Sequence, residues 1–228
     1  MASLERFIFS HNSFSGTLPT EIGTCARLDE LQADTTSLAG SIPTEIGTAG
    51  DGEVRVLQLV NSHLSLGIPT EIGRQTAMNV FWLFKNSALT GTVPTELGSM
   101  KSMDQLYLYA NSITGPIPSE IGRLTRMRFL WCEETSLSGT IPTELFAVPA
   151  LVDLKLFGIR GSGSLPTEIG QTTLLTSVRL HAMGLTGPIP SEIGIQHNSL
   201  LKLELHQNEL TGTMSSSLGR PPYMQLLS

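Results

Sequence analysis

GPIPSEIG, Gly115–Gly122, is the stretch on which the reading of this sequence turns, because near copies of it recur along the whole chain. GTLPTEIG begins at Gly16, GSIPTEIG at Gly40, GTVPTELG at Gly91, GTIPTELF at Gly139, GSLPTEIG at Gly163 and GPIPSEIG again at Gly187, with the variant LGIPTEIG at Leu66. The prolines at Pro19, Pro43, Pro69, Pro94, Pro118, Pro142, Pro166 and Pro190 mark a period of about 24 residues with two small insertions. Self-similarity at such a period specifies a solenoid, in which each unit contacts only its neighbours and stacking buries what one unit cannot bury alone. Residues 1–228 read as a single domain of about nine repeats of 24–26 residues, expected to be part of a longer chain.

Upstream of each proline lies a second pattern, LxxLxLxxN, clearest at Met103, Leu106, Leu108, Asn111, Ile113 and Gly115. Alternation of apolar and polar residues over so short a run specifies a strand with one face buried. The same frame fits nine segments, from Leu4, Phe7, Phe9 and Asn12 to Leu200, Leu203, Leu205 and Asn208. Stacked in register they predict a parallel sheet ~40 Å across at one strand spacing per repeat. The asparagine is expected to face inward and bond to backbone groups that would otherwise be buried unpaired. In the return segment proline stops strand pairing, Thr or Ser is expected to cap a short helical or 3-10 turn, and the recurrent glutamates (Glu21 to Glu192) read as solvated first-turn residues favoured by the helix dipole. The fold class expected is an α/β repeat solenoid.

These residues carry a close resemblance. LxxLxLxxNxLxGxIPxEIG resembles the plant-type leucine-rich repeat, matched from Leu4 to about Leu218. The resemblance implies a right-handed superhelix with a concave parallel β-sheet, short helical or 3-10 return arms and a second short strand at LxGxIP. It also implies a protein- or peptide-recognition module of receptor-ectodomain type at the cell surface or secreted. The alternative within the same resemblance is a secreted inhibitor of a cell-wall hydrolase, similar to the polygalacturonase-inhibiting proteins.

Departures from the pattern are specific. The ladder position is Thr36, Ser62, Thr135, Ile159 and Met183 in five units, and the last two cannot hydrogen-bond, so repeats seven and eight are expected to be looser. Repeat three has Leu66 where the turn glycine belongs and carries AGDGE, Ala49–Glu53, whose Asp-Gly pair marks a turn or exposed loop. The first strand has no capping unit before it, and the last unit decays to GTMSSSLGRPPYMQLLS.

The residues between the leucines face away from the core, and their distribution is uneven. Trp82 and Phe84, Tyr107 and Tyr109, and Trp131 and Glu133 occupy the middle three strands, extended by Phe129 and Phe157. Asp29, Glu30 and Asp34 form an acidic flank, and Lys155, Arg179, His181, Lys202 and His206 a basic one. An aromatic patch rimmed by charge is a candidate ligand-binding surface, with Trp82, Phe84, Tyr107, Tyr109, Phe129, Trp131, Glu133, Lys155, Phe157, Arg179 and His181 as the contact residues. The competing reading is that the rings are strand formers packed laterally on one another. As exposed side chains they should be removable without affecting the fold.

Composition narrows the function classes. A net charge of −6 and a pI of about 5.3 disfavour nucleic acid, which needs a basic face. No apolar run approaches the ~18 residues that span a bilayer, so no membrane contact by this segment is expected. Cys25 and Cys132 stand more than four repeats apart, ~20 Å at strand spacing, and are expected as free thiols. No nucleophile–base pair, phosphate-cradling glycine loop or paired carboxylates in a pocket occurs in a supporting context, so no enzyme activity and no cofactor are expected. His181 and His206, one above the other on adjacent strands, lack an evident third ligand, and no metal site is expected.

Overall fold

The computed structural model describes residues 3–196 and 199–216; the end of the decaying last unit, residues 217–228, lies outside the described residues. Nine three-residue strands, one per repeat, form one parallel sheet in chain order: β1 Arg6–Ile8, β2 Glu30–Gln32, β3 Val56–Gln58, β4 Val80–Trp82, β5 Gln105–Tyr107, β6 Phe129–Trp131, β7 Asp153–Lys155, β8 Ser177–Arg179 and β9 Lys202–Glu204. The middle residue of each strand points into the core, so that Leu57, Phe81, Leu106, Leu154 and Val178 are fully buried. Register is strict: Gln58, Trp82, Tyr107, Trp131, Lys155, Arg179 and Glu204 are successive partners across the sheet.

The second short strand at LxGxIP is present, as small parallel sheets formed by Ser15–Gly16, Ser37–Gly40 and His63–Leu64, by Thr114–Gly115, Ser136–Gly139 and Arg160–Gly161, and by Thr186–Gly187 with Glu209–Leu210. Single bridges join most of the gaps between them. Each return arm is a 3-10 turn of four or five residues, from Thr20–Thr24 to Thr167–Gln171, and the eighth is one α-helical turn, Glu192–Gln196.

The expected Thr/Ser cap is not what starts these turns. Proline occupies the N-cap position with an extended backbone and offers no side-chain acceptor, so the threonine falls one place too late to cap. Its hydroxyl instead lies 3.3–3.5 Å from the neighbouring glutamate carboxylate, as in Thr95–Glu96 and Thr167–Glu168. The glycine of EIG has a separate role, a close approach between successive arms. A Cβ at Gly98 would sit 2.6 Å from the Glu120 carbonyl oxygen. Phe146 replaces that glycine in the sixth arm and is buried in the core.

The amide ladder runs as expected. Asn86 donates from Nδ2 to the carbonyls of Leu59 (2.7 Å) and Leu83 (2.9 Å) and accepts the Ser62 amide on Oδ1, while Asn111 accepts the Asn86 amide. Thr36 and Ser62 continue it with hydroxyls 2.9 Å apart. AGDGE forms a turn rather than an exposed loop: Ala49 and Gly50 are buried, and the Gly50 amide donates to the Cys25 carbonyl at 2.9 Å. Leu66 adopts the left-handed backbone (φ 64°) that glycine supplies in most other units. Cys25 and Cys132 are free and buried.

One regularity has no counterpart in the sequence pattern. The residue before each ladder position is left-handed: His11, Thr35, Asn61, Lys85, Ala110, Glu134, Ala182 and Gln207 have φ between 49° and 57° or, at Lys85, 61°, and Gly158 has 71°. Its amide reaches the next repeat's strand extension, as in Ala110 to the Glu133 carbonyl (3.0 Å) and Glu134 to that of Phe157 (3.2 Å). The parallel ladder therefore continues two residues past the assigned strands, which sets Phe84, Tyr109, Glu133, Phe157, His181 and His206 in a second aligned column.

Candidate ligand-binding face

Two adjacent columns of side chains on the solvent side of the sheet collect every candidate contact residue except Phe129, which stands in the column before them with Glu30 and Lys202 of the charged flanks. In the first, Trp82 stacks on Tyr107 (5.2 Å between centroids) and Tyr107 on Trp131 (4.1 Å, 7° between planes). The row then passes to Lys155, whose Nζ lies 3.1 Å from the centre of the Trp131 ring. In the second, Phe84 stacks on Tyr109 (4.3 Å), and Phe157 on His181 and His181 on His206 (4.3 Å each). The Phe129 ring lies under the Arg128 guanidinium at 5.3 Å.

The lateral packing that competed with the binding reading is thus present. The rings are half-buried and stacked on one another, and Tyr107 keeps only 8% of its surface exposed. The expectation that these residues could be removed at no cost to the fold is corrected: face-to-face aromatic pairs contribute ~0.5–1.5 kcal/mol each beyond their burial.

The charged flanks are also more balanced than residue counts implied. On one side Glu30 pairs with Arg6, and Asp29 with Arg55. On the other, Lys155 faces Asp153 at 3.9 Å, while Glu204 draws Lys202 (2.8 Å), Arg179 (3.6 Å) and His181 (3.7 Å). The hydrogen bonds from Arg55 hold the Asp29 carboxyl below its usual range; burial pushes Asp34 and Glu133 up and Lys155 down. Burial, with the carboxylate Asp153 nearby, raises the Tyr107 hydroxyl to about 12. Burial and the adjoining His206 lower His181, against the pull of Glu204. Among the described residues no cluster of three or more metal-ligating groups forms, and the two histidines meet as a stacked pair.

Unsatisfied polar atoms single out this face. Among the described residues the buried side-chain atoms without a hydrogen bond are Asp34 Oδ1, Trp82 Nε1, Glu133 Oε2, Asp153 Oδ1, Ser177 Oγ, Arg179 Nε and His181 Nδ1. All seven belong to side chains on the solvent side of the sheet, and none to the return arms. Sequence reading missed Asp153 and Ser177. They occupy the first outward position of β7 and β8, whereas the aromatic signal drew attention to the two positions after it. Asp153 matters because its Oδ2 accepts the Trp131 Nε1 hydrogen at 2.9 Å and fixes that ring.

The comparisons with known proteins bear on the fold. The leucine-rich-repeat family model matches residues 3–25. No curated protein sequence matches the chain. Among solved structures, the plant peptide hormone receptor RGFR1, in complex with RGF2, is 28% identical with a TM-score of 0.82 over 98% of this chain and 39% of its own. The leucine-rich-repeat ectodomain of the membrane receptor kinase GASSHO1/SCHENGEN3 from Arabidopsis thaliana, in complex with CASPARIAN STRIP INTEGRITY FACTOR 2, is 28% identical with a TM-score of 0.80, over 98% of this chain and 29% of its own. A plant ice-binding protein, at 22% identity and a TM-score of 0.83 over 97% of this chain and 73% of its own, shares the fold alone. The chain thus spans well under half the length of the two receptors. The chain has the fold of a leucine-rich-repeat solenoid and is similar, over nearly its whole length, to the leucine-rich-repeat ectodomains of plant receptor kinases.

Proposed function

We propose that the chain is the ligand-recognition segment of a receptor-type, extracellular leucine-rich-repeat protein, and that it takes a peptide or an extended protein segment along the solvent side of its nine-stranded sheet. The observation that carries the reading is the coincidence on one face of the stacked aromatic columns with the buried side-chain polar atoms that lack a hydrogen bond among the described residues, of which only Arg179 Nε and His181 Nδ1 have an ion-pair partner, Glu204. An unpaired buried donor or acceptor costs ~1–3 kcal/mol, and a ligand that supplies the missing partners recovers that cost on binding. Rings held in fixed stacks lose little freedom when a peptide lies across them. The similar plant peptide hormone receptor, solved in complex with RGF2, supports the same class of partner.

A phage-displayed random peptide library captured on the intact chain tests this. Peptides selected on the wild type lose at least tenfold in affinity to Trp82→Ala or Phe84→Ala and keep their affinity for Thr95→Ala on a return arm, with far-UV spectra confirming folding at the assay temperature. Equal affinity for all four proteins contradicts the assignment of the face.

A further inference from the structure

The second column of the face is interrupted at one place. Between Tyr109 and Phe157, where every other member from Phe84 to His206 is an aromatic ring or imidazole, stands the carboxylate of Glu133. It is 7% exposed, and its Oε2 has no hydrogen-bond partner. Lys155 is the cation that acts on it, yet the Lys155 ammonium is already placed on the Trp131 ring and opposite Asp153. Asp153 itself keeps Oδ1 unpaired. The gap in the ring column therefore holds one acceptor atom without a hydrogen bond, Glu133 Oε2, between Tyr109 and Phe157, while the free Asp153 oxygen lies two outward positions back along the neighbouring strand.

We infer that this gap is a subsite for an arginine side chain of the bound peptide, with Glu133 as its counter-ion. The inference rests on the reading of the open face as the peptide site and names what that site selects. A buried carboxylate with one oxygen left without a partner calls for a charge-assisted donor, and the guanidinium is the biological cation that presents several N–H groups in a plane. It is also weakly hydrated and stacks on aromatic faces, which suits walls made by Tyr109 and Phe157. A compact, strongly hydrated ion gains less from those walls and meets the Lys155 ammonium without the offsetting stacking. Burial holds the free carboxyl above its ordinary range, so an arriving guanidinium displaces the equilibrium toward the charged form.

The test uses the peptides selected on the intact chain. Their sequences are compared with the naive library, and each enriched arginine is then replaced by citrulline, which keeps the shape and removes the charge. Arginine is expected to be enriched at one position. Citrulline replacement is expected to weaken binding to the wild type at least tenfold, but binding to Glu133→Gln less than threefold. Equal affinity of the citrulline peptide for the two proteins shows that Glu133→Gln has left the face intact. No arginine enrichment, or an equal citrulline loss on both proteins, overturns the inference while leaving the face as the peptide site, provided that Trp82→Ala still abolishes capture. Peptides indifferent to Trp82→Ala, or no selected peptides, overturn both.

Discussion

Asn86 illustrates how a single side chain holds a repeat stack together. Its amide serves carbonyls in its own turn and in the preceding repeat, and its carbonyl oxygen takes the preceding repeat's Ser62 amide. Asn86→Ala strands three buried backbone groups and is expected to lower the stability by about 3 kcal/mol, with Asn86→Ser costing about half that because Ser62 already fills the equivalent position. Urea midpoints of the two variants check the order. His181 provides the residue-scale pH response. It stacks on His206 and is faced by Glu204, Arg179 and Lys202, and its folded value lies below the unfolded 6.5. A depressed histidine binds protons less readily folded than unfolded, so stability is full above about pH 6.5 and falls as the pH drops through and below that value. Thermal midpoints between pH 8 and 5 should show this fall in the wild type and a smaller one in His181→Phe. A separate loss belongs below pH 4, where Asp29 and Asp104, held low by hydrogen bonds from Arg55 and Arg128, take up protons.

At the scale of the element, the strand frame was legible because period-two alternation puts every leucine on one side, and the columns of Trp82, Tyr107 and Trp131 follow from it directly. The turn after each strand was not. Its left-handed residue varies freely in type, from His11 to Gln207, since the hydrogen bond from its amide to the next repeat fixes the conformation, not the side chain. A non-glycine residue in that region costs ~1–2 kcal/mol, a strain carried by eight of the nine units. Repeat seven is the exception: its ladder position is Ile159, without a polar group, and the residue before it is Gly158. Relief of strain thus accompanies loss of the ladder bond in that unit. Ala110→Gly is expected to stabilise the protein by up to about 1 kcal/mol and Gly158→Ala to destabilise it by a similar amount, both read from denaturant midpoints. Repeat eight is tied differently: Asn208 of the ninth unit accepts the Met183 amide at 3.0 Å and the Leu185 amide at 3.1 Å, so its ladder is served from one side only. The return arms held a second lesson. Threonine after proline reads as a cap by residue type, but the proline has already taken the cap position.

Across the whole molecule the solenoid turns a one-dimensional sequence period into a two-dimensional array, and the face proposed to bind ligand is where that array's regularity breaks. The core repeats the same leucines in every unit, while the open face changes from ion pairs at β1–β3 through stacked rings at β4–β6 to a charged network at β7–β9. Which residues lie on that face could be read from the sequence. That the rings would meet face to face, and that polar atoms would be left unpaired among them, depended on side-chain packing between repeats that no single repeat encodes. Both tryptophans of the chain, Trp82 and Trp131, stand in one stacked row, so tryptophan emission reports on this face alone. The most direct test is the emission of the unmodified protein during titration with a selected peptide free of tryptophan. Binding along the face is expected to shift the emission and to reduce acrylamide quenching as the peptide saturates. Saturable binding, measured in parallel by calorimetry, with emission and quenching unchanged would place the ligand elsewhere on the molecule and contradict the account.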